Sequence, residues 1–315
     1  RGDLDAAVRD FREAAALDPS APRPLEELGD TMYARQRYRA AIDAYERRLV
    51  LDDRSAGVAY KLALARYRDG NIDGALAALA QTLALDDRLA DAHYLRGLCL
   101  RERRRSTDAI DAFERAAALA PAMIPAREEL ADLYAAIGRH GDELEQLQLL
   151  ASLDRKRVDR QLAVGLAHAR VGDTDLAVLA LRSALERATV GDGIESVPDL
   201  YGALGQVWLN VAASRSDALT KALAALGRAA ASASASSQIL TLYGEALLES
   251  DQLEPAEAIL KQATETFPAA PQAFREYAAV AQRLSHFAAA ARALVSYRAL
   301  VPDDEAMAAA LRRPR

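Results

Sequence analysis

The chain is short of several things, and each shortage removes a class of protein. It holds one cysteine, Cys99, in 315 residues. That excludes an internal disulfide framework and any zinc site built from several cysteines. Aromatics make up only 5% of the residues. No apolar run approaches the ~18 residues that span a bilayer, and no basic-then-apolar leader opens the chain. Positive charge is not in surplus: the formal net charge is -6 and the pI about 5.4, which argues against nucleic acid as a partner. Lysine is scarce too, at four residues (Lys61, Lys156, Lys221, Lys261) among 40 basic ones, an arginine bias that suggests a GC-rich bacterial genome. With no export signal and one thiol, the expected compartment is the cytoplasm, although one cysteine does not forbid a periplasm.

What is present is alanine, leucine, arginine and glutamate, with few β-branched residues, and this composition favours helix throughout. Hydrophobic residues reach 51%, too many for a disordered chain. The chain also repeats itself. Ala40-Ala41-Ile42-Asp43-Ala44-Tyr45-Glu46-Arg47 recurs as Asp108-Ala109-Ile110-Asp111-Ala112-Phe113-Glu114-Arg115, two steps of 34 later, and an earlier copy begins at Ala6. A small residue recurs at Ala7, Ala41, Ala75, Ala109 and Ala177. A large one follows four places on, at Phe11, Tyr45, Leu79, Phe113, Leu147 and Leu181. A second small position runs through Gly29, Ala63, Gly97, Ala131 and Gly165. Each period reads as two short amphipathic helices, about Arg23 to Arg35 and Arg39 to Leu51 in the second. Small residues let the backbones approach, and a glycine or polar turn separates the helices. One such pair cannot bury its own apolar faces, so neighbours must stack.

This pattern resembles the tetratricopeptide repeat: Leu28-Gly29, Ala41, Tyr45, Ala116 and Pro121 match that family's 34-residue motif. The resemblance implies an all-α fold, an α-solenoid wound as a right-handed superhelix of helix-turn-helix units. Units one to six are expected in regular register over residues 1–191, the first of them partial. Residues 192–304 hold an irregular unit seven and then units eight and nine, and 305–315 read as the start of a further or capping helix. Two insertions are expected around unit seven, Asp192 to Val197 and another near Arg215 to Thr220. The stretch 192–237 is thus either a hinge or a long loop. Departures from the motif carry their own expectations. Glu143 and Arg48 stand where alanine packs, so those units should pack less tightly. Asp53, Asp87 and Arg155 replace the closing proline, leaving the second helices free to run longer. The half unit at the start and the extra helix at the end suggest a chain that continues past both, with an uncapped repeat through which copies could self-associate.

No catalytic constellation is found. None of His93, His140, His168 and His286 has another histidine three or four residues on, as a helical metal pair would need. Cys99 sits among Leu98 and Leu100 and reads as a buried, inert thiol. Gly191-Asp192-Gly193 lacks the lysine of a phosphate loop. Asp52-Asp53 and Asp86-Asp87 read as solvated helix ends, and Arg1-Gly2-Asp3 falls where an interhelix turn is expected. No catalytic, cofactor-binding or metal site is therefore expected, and no cofactor.

In the family, the first helix of each pair lines a concave groove. Carried onto this chain, that places Tyr33, Tyr60, Lys61, Leu64, Tyr67, Tyr94, Leu95, Leu98, Leu162 and Leu166 on the groove face. These either anchor a partner or pack against neighbouring repeats. Acidic patches flank them, Glu26, Glu27 and Asp30 on one side and Glu128, Glu129 and Asp132 on the other. Arg101, Arg103, Arg104 and Arg105 form a basic rim. The resemblance implies a non-enzymatic scaffold or adaptor that takes a protein or peptide with apolar anchors and basic flanks, without inserting into a membrane. Two asparagines, Asn71 and Asn210, neither at a clamp position, argue against a clamp for chaperone tails. The other reading is a regulatory or substrate-recruiting domain of a larger enzyme such as a glycosyltransferase, sulfotransferase or kinase.

Overall fold

The computed structural model describes residues 2–190, 194–302 and 304. The expected start of a helix at 305–315 lies outside the described residues, as do Arg1 and 191–193. Every regular element described is helical, and the fold is an α-solenoid of stacked helix pairs. The chain divides into two compact units, Arg1–Gln146 and Leu147–Arg315.

The first unit contains α1 (Gly2–Leu17), α2 (Pro22–Ala34), α3 (Tyr38–Leu51), α4 (Ala56–Arg68), α5 (Ile72–Leu85), α6 (Ala90–Glu102), α7 (Ser106–Leu119) and α8 (Ile124–Ala136), and it ends within α9 (His140–Leu153). Paired helices lock through a small residue on the first and a large one on the second. A Cβ on Gly29 would fall inside the Tyr45 ring, and one on Gly97 inside the Phe113 ring. Ala41, Ala75 and Ala109 are fully buried at the crossing. Between the helices of a pair, one residue per repeat takes a left-handed conformation: Gln36 (φ 59°), Gly70 (φ 82°), Arg104 (φ 56°) and Gly138 (φ 75°). Glycine meets this at no steric cost, whereas Gln36 and Arg104 do not. Arg1-Gly2-Asp3 is not such a turn, because Gly2 already opens α1.

Helices α3, α5 and α9 do not run longer for lack of a closing proline. They end at Leu51, Leu85 and Leu153, in register with α7, which Pro121 follows. Aspartate does the work of proline. Asp52 Oδ1 accepts from the Arg54 amide (3.1 Å), Asp86 Oδ1 from Arg88 (2.9 Å) and Asp154 Oδ1 from Lys156 (3.2 Å). Such a side-chain turn offers the backbone a partner that continued helix would not. Where the repeat has Ala120 instead, Pro121 is present.

Arg48 does not loosen its unit either. Ala41, Ala44, Tyr45 and Leu49 stay buried around it, while its guanidinium donates to the Asp52 carbonyl (3.2 Å) and to Asp52 Oδ2 (3.3 Å). Glu143 is buried at the packing position of α9, with His140 Nδ1 3.1 Å from Oε2. The division between the compact units falls in this same helix.

The second unit contains the rest of α9, then α10 (Val158–Arg170), α11 (Thr174–Val190), a 3-10 turn (Ile194–Ser196), α12 (Val197–Leu209), α13 (Ala218–Ala230), α14 (Ser237–Glu249), α15 (Leu253–Glu265), α16 (Pro271–Arg283) and α17 (Phe287–Leu300). The lock between partners persists as Gly165 under Leu181, Gly205 under Leu226 and Gly244 under Leu260. The spacing within each lock measures the irregularity. It is 16 residues for Gly29 to Tyr45 (45 − 29), but 21 for Gly205 to Leu226 (226 − 205). The five extra residues lie in the turn 210–217, somewhat earlier than the expected Arg215 to Thr220, since Thr220 is already in α13. That turn is tied down: Arg215 donates to Asp175 (2.7 Å), and Lys221 pairs with Asp217 (2.5 Å).

Candidate functional site

In the first unit, α2, α4, α6 and α8 are the first helices of consecutive pairs, and a 34-residue step lines up their faces. Glu26, Tyr60, Tyr94 and Glu128 share one register position. Asp30, Leu64, Leu98 and Asp132 share a second, and Tyr33, Tyr67 and Arg101 a third. At the first two positions the apolar members occupy α4 and α6, with acidic residues on α2 and α8.

Tyr33, Tyr60, Leu64, Tyr67 and Leu98 are half-buried and pack against one hydrophobic cluster that runs from Val8 to Cys99. Tyr94 is half-buried against the next cluster, its ring 5.6 Å from that of Phe113. These residues therefore support the helix stack and still present an edge to solvent. Leu95 does not belong with them. It is 2% exposed, fully buried in the cluster that α6 shares with α4 and α5, because it lies one residue round the helix from Tyr94. In the second unit, Leu162 and Leu166 of α10 are likewise half-buried against their own cluster.

Burial alters the tyrosines. It pushes Tyr60 up to about 12, with Asp91 and Tyr33 adding to the shift. Tyr67 and Tyr94 are also raised, by burial first and then by Glu102 and Glu129 respectively. All three stay neutral hydroxyls at physiological pH. Tyr33 rests against Tyr38 with ring centroids 5.5 Å apart, and its hydrogen bond with Arg68 raises that guanidinium.

The acidic patches are only partly open. Lys61 Nζ donates to Glu26 Oε1 and to Asp30 Oδ2, both at 2.7 Å, and the Tyr45 hydroxyl donates to Asp30 Oδ1 at 2.7 Å. Burial pulls the Lys61 ammonium down, but its bonds to Asp30 and Glu26 outweigh this and raise it. Lys61 is thus a brace between α2 and α4. Glu27 pairs with Arg23 within α2 (3.7 Å), and Glu129 pairs with Arg101 of α6. Asp132 and Glu128 are exposed on α8.

The basic rim is absorbed in the same way. Arg101 goes to Glu129, Arg103 to Asp73, and Arg105 Nε to Asp108 Oδ2 at 2.7 Å. Arg104 is left as the exposed left-handed residue of the turn. The aspartate and arginine pairs that join successive helices were legible only as charge, since their partners sit about one repeat away.

The buried thiol and the buried ring and guanidinium nitrogens are engaged in packing. Cys99 is fully buried, and burial pushes its thiol up to about 11. His93 is buried with Nε2 2.9 Å from the Asp87 carbonyl, and Arg127, one repeat later, donates to the Pro121 carbonyl at 2.8 Å. Among the described residues, no group of three or more histidine, cysteine, aspartate or glutamate side chains is placed to hold a metal ion. None of the described helices is long and apolar enough to cross a membrane.

Among solved structures, the chain is similar to the APC/C hetero-tetramer Cut9–Hcn1, at 17% identity and a TM-score of 0.52, covering 97% of this chain and 58% of that one. It is also similar to Naa15/Naa10 bound to HypK-THB, at 16% identity and a TM-score of 0.58, covering 91% and 43%. These likenesses are of fold. MamA matches at 26% identity with a TM-score of 0.48, over 50% of this chain and 92% of its own. No curated protein matches the sequence. The model of the tetratricopeptide repeat matches residues 1–58 and 60–124. Residues 1–124 are thus tetratricopeptide repeats, and the same glycine-on-large-residue lock, recurring at Gly165, Gly205 and Gly244, carries the packing of that repeat into the later helix pairs.

Proposed function

We propose that this protein is a non-enzymatic interaction scaffold, and that the face formed by α2, α4 and α6 binds an extended or helical segment of a partner protein. One observation carries the reading: Tyr33, Tyr60, Tyr67 and Tyr94 stand half-buried on three consecutive first helices, with Leu64 and Leu98 between them. Tyrosine supplies rigid contact area with a polar tip, which suits a surface that must serve both water and a ligand. Lys61 braces α4 to α2 and Arg101 ties α6 to α8, so less ordering remains to be done on binding.

The ligand places apolar anchors on the tyrosines and leucines. A basic flank meets Asp132 on α8, because Glu26 and Asp30 are already committed to Lys61. The test is direct. A partner captured with the intact protein is titrated against the Tyr60→Ala plus Tyr94→Ala variant, with circular dichroism to confirm the fold. A loss of affinity of about 2 kcal/mol or more is expected for two hot-spot tyrosines. Unchanged affinity would remove this face from the binding site.

A further inference from the structure

The second unit carries a cleft on a different helix face. It holds about 400 Å³ and is lined by α11, α12 and α13. Its floor is Tyr201, Leu204 and Trp208. Because Gly205 occupies the register place of Gly29, these three correspond to Leu25, Leu28 and Met32, which are buried, and not to the positions of Glu26, Asp30 and Tyr33. The cleft therefore opens on the side of its first helix away from the tyrosine-bearing face.

Cations are arranged over this floor. Lys221 Nζ lies 4.4 Å from the centre of the Trp208 ring. Arg228 lies 5.5 Å over the Tyr201 ring and donates to its hydroxyl at 3.2 Å. Arg182 projects from the α11 wall, exposed and with no ion pair or hydrogen bond among the described residues. The lining holds three cations to one carboxylate, Glu186, and the Asp217 that pairs with Lys221 lies outside it. Methyl groups sit beside the cations on both walls: Ala224 and Ala225 share the α13 stripe of Lys221 and Arg228, and Leu185 lies one turn from Arg182 on α11.

We propose that this cleft is a second binding site, and that it takes an acidic segment of a protein partner. The chemistry selects that class. Cations stand on both walls with apolar side chains interleaved among them, so the ligand must offer carboxylates interleaved with apolar groups. An extended peptide that alternates acidic and aliphatic residues does this. Nucleobase stacking is excluded by burial, since Trp208 is 7% exposed and already covered by Lys221. The pinned turn 210–217 holds Lys221 in place through Asp217.

Trp208 is the only tryptophan, so its emission reports on the cleft alone. The probe is a capped peptide alternating glutamate and leucine, with a control in which glutamine replaces glutamate. Titrated into the full chain, the acidic peptide should change Trp208 emission saturably and the control should not. Arg182→Glu should weaken binding about tenfold. The Tyr60→Ala plus Tyr94→Ala variant should bind the acidic peptide as the parent does, which separates this site from the tyrosine face. The proposal is overturned by a flat titration, by an equal response to the control, by a loss under threefold in Arg182→Glu, or by equal competition from free glutamate.

Discussion

Single residues decide how closely the helices approach. Phe113 fills the space above Gly97 so completely that one added methyl group would enter its ring. Alanine normally favours a helix by about 1 kcal/mol over glycine, but here that gain meets an overpacked crossing costing about 1–3 kcal/mol. Gly97→Ala should therefore destabilise the protein despite its better helix propensity, and chemical denaturation would show a lower midpoint. A raised midpoint would mean that Phe113 has room to move. The pairing of small with large was readable from Gly29 and Tyr45 or Gly97 and Phe113 in the sequence. The fate of Leu95 was not, because rotation about a helix axis of one residue's worth separates a groove side chain from a core one.

At the scale of the element, helix ends are set by aspartate where proline is missing. Asp86→Ala should remove the Asp86–Arg88 turn and destabilise the α5 end by about 1 kcal/mol, the worth of one such hydrogen bond. Asp87→Pro added to it should restore the loss, reproducing the Ala120-Pro121 arrangement that ends α7. Thermal melts of the single and double variants check both steps, and failure of the proline to rescue would refute the equivalence. The recurring Leu-Asp at Leu17-Asp18, Leu51-Asp52, Leu85-Asp86 and Leu153-Asp154 was the available signal. Reading proline as the only stop obscured it. The ion pairs from helix to helix were illegible for another reason. Each sequence position shows a charge, and only the stack shows that Lys61 reaches both Glu26 and Asp30.

For the molecule as a whole, burial of tyrosines predicts alkaline weakness. Tyr60 is raised to about 12, and Tyr45, Tyr67, Tyr94 and Tyr134 are raised as well, all by burial first; Lys61 is raised by its carboxylate partners. A group with a folded pKa above its unfolded one contributes stability that is complete below the unfolded value and lost as pH climbs to the folded one. The unfolded tyrosine value is near 10, so the window opens there and extends to about 12 for Tyr60. The melting temperature should hold to about pH 9 and fall beyond about pH 10, and Tyr60→Phe should lessen the fall. An unchanged melting temperature between those limits would contradict the buried tyrosine face.

The sequence by itself determined the repeat, its helix pairs and the residues that lock them, because stacking is a local rule applied every 34 positions. It also determined which first-helix positions would share a face. Tertiary structure alone decided which charges were already spent, since an ion pair depends on the reach of two side chains in space and not on their spacing in the chain. It decided where the extra residues of the seventh repeat went. And it decided that three cations, an indole and a strip of alanines from α11, α12 and α13 would line one cleft, which no periodicity could announce because it arises where the period breaks.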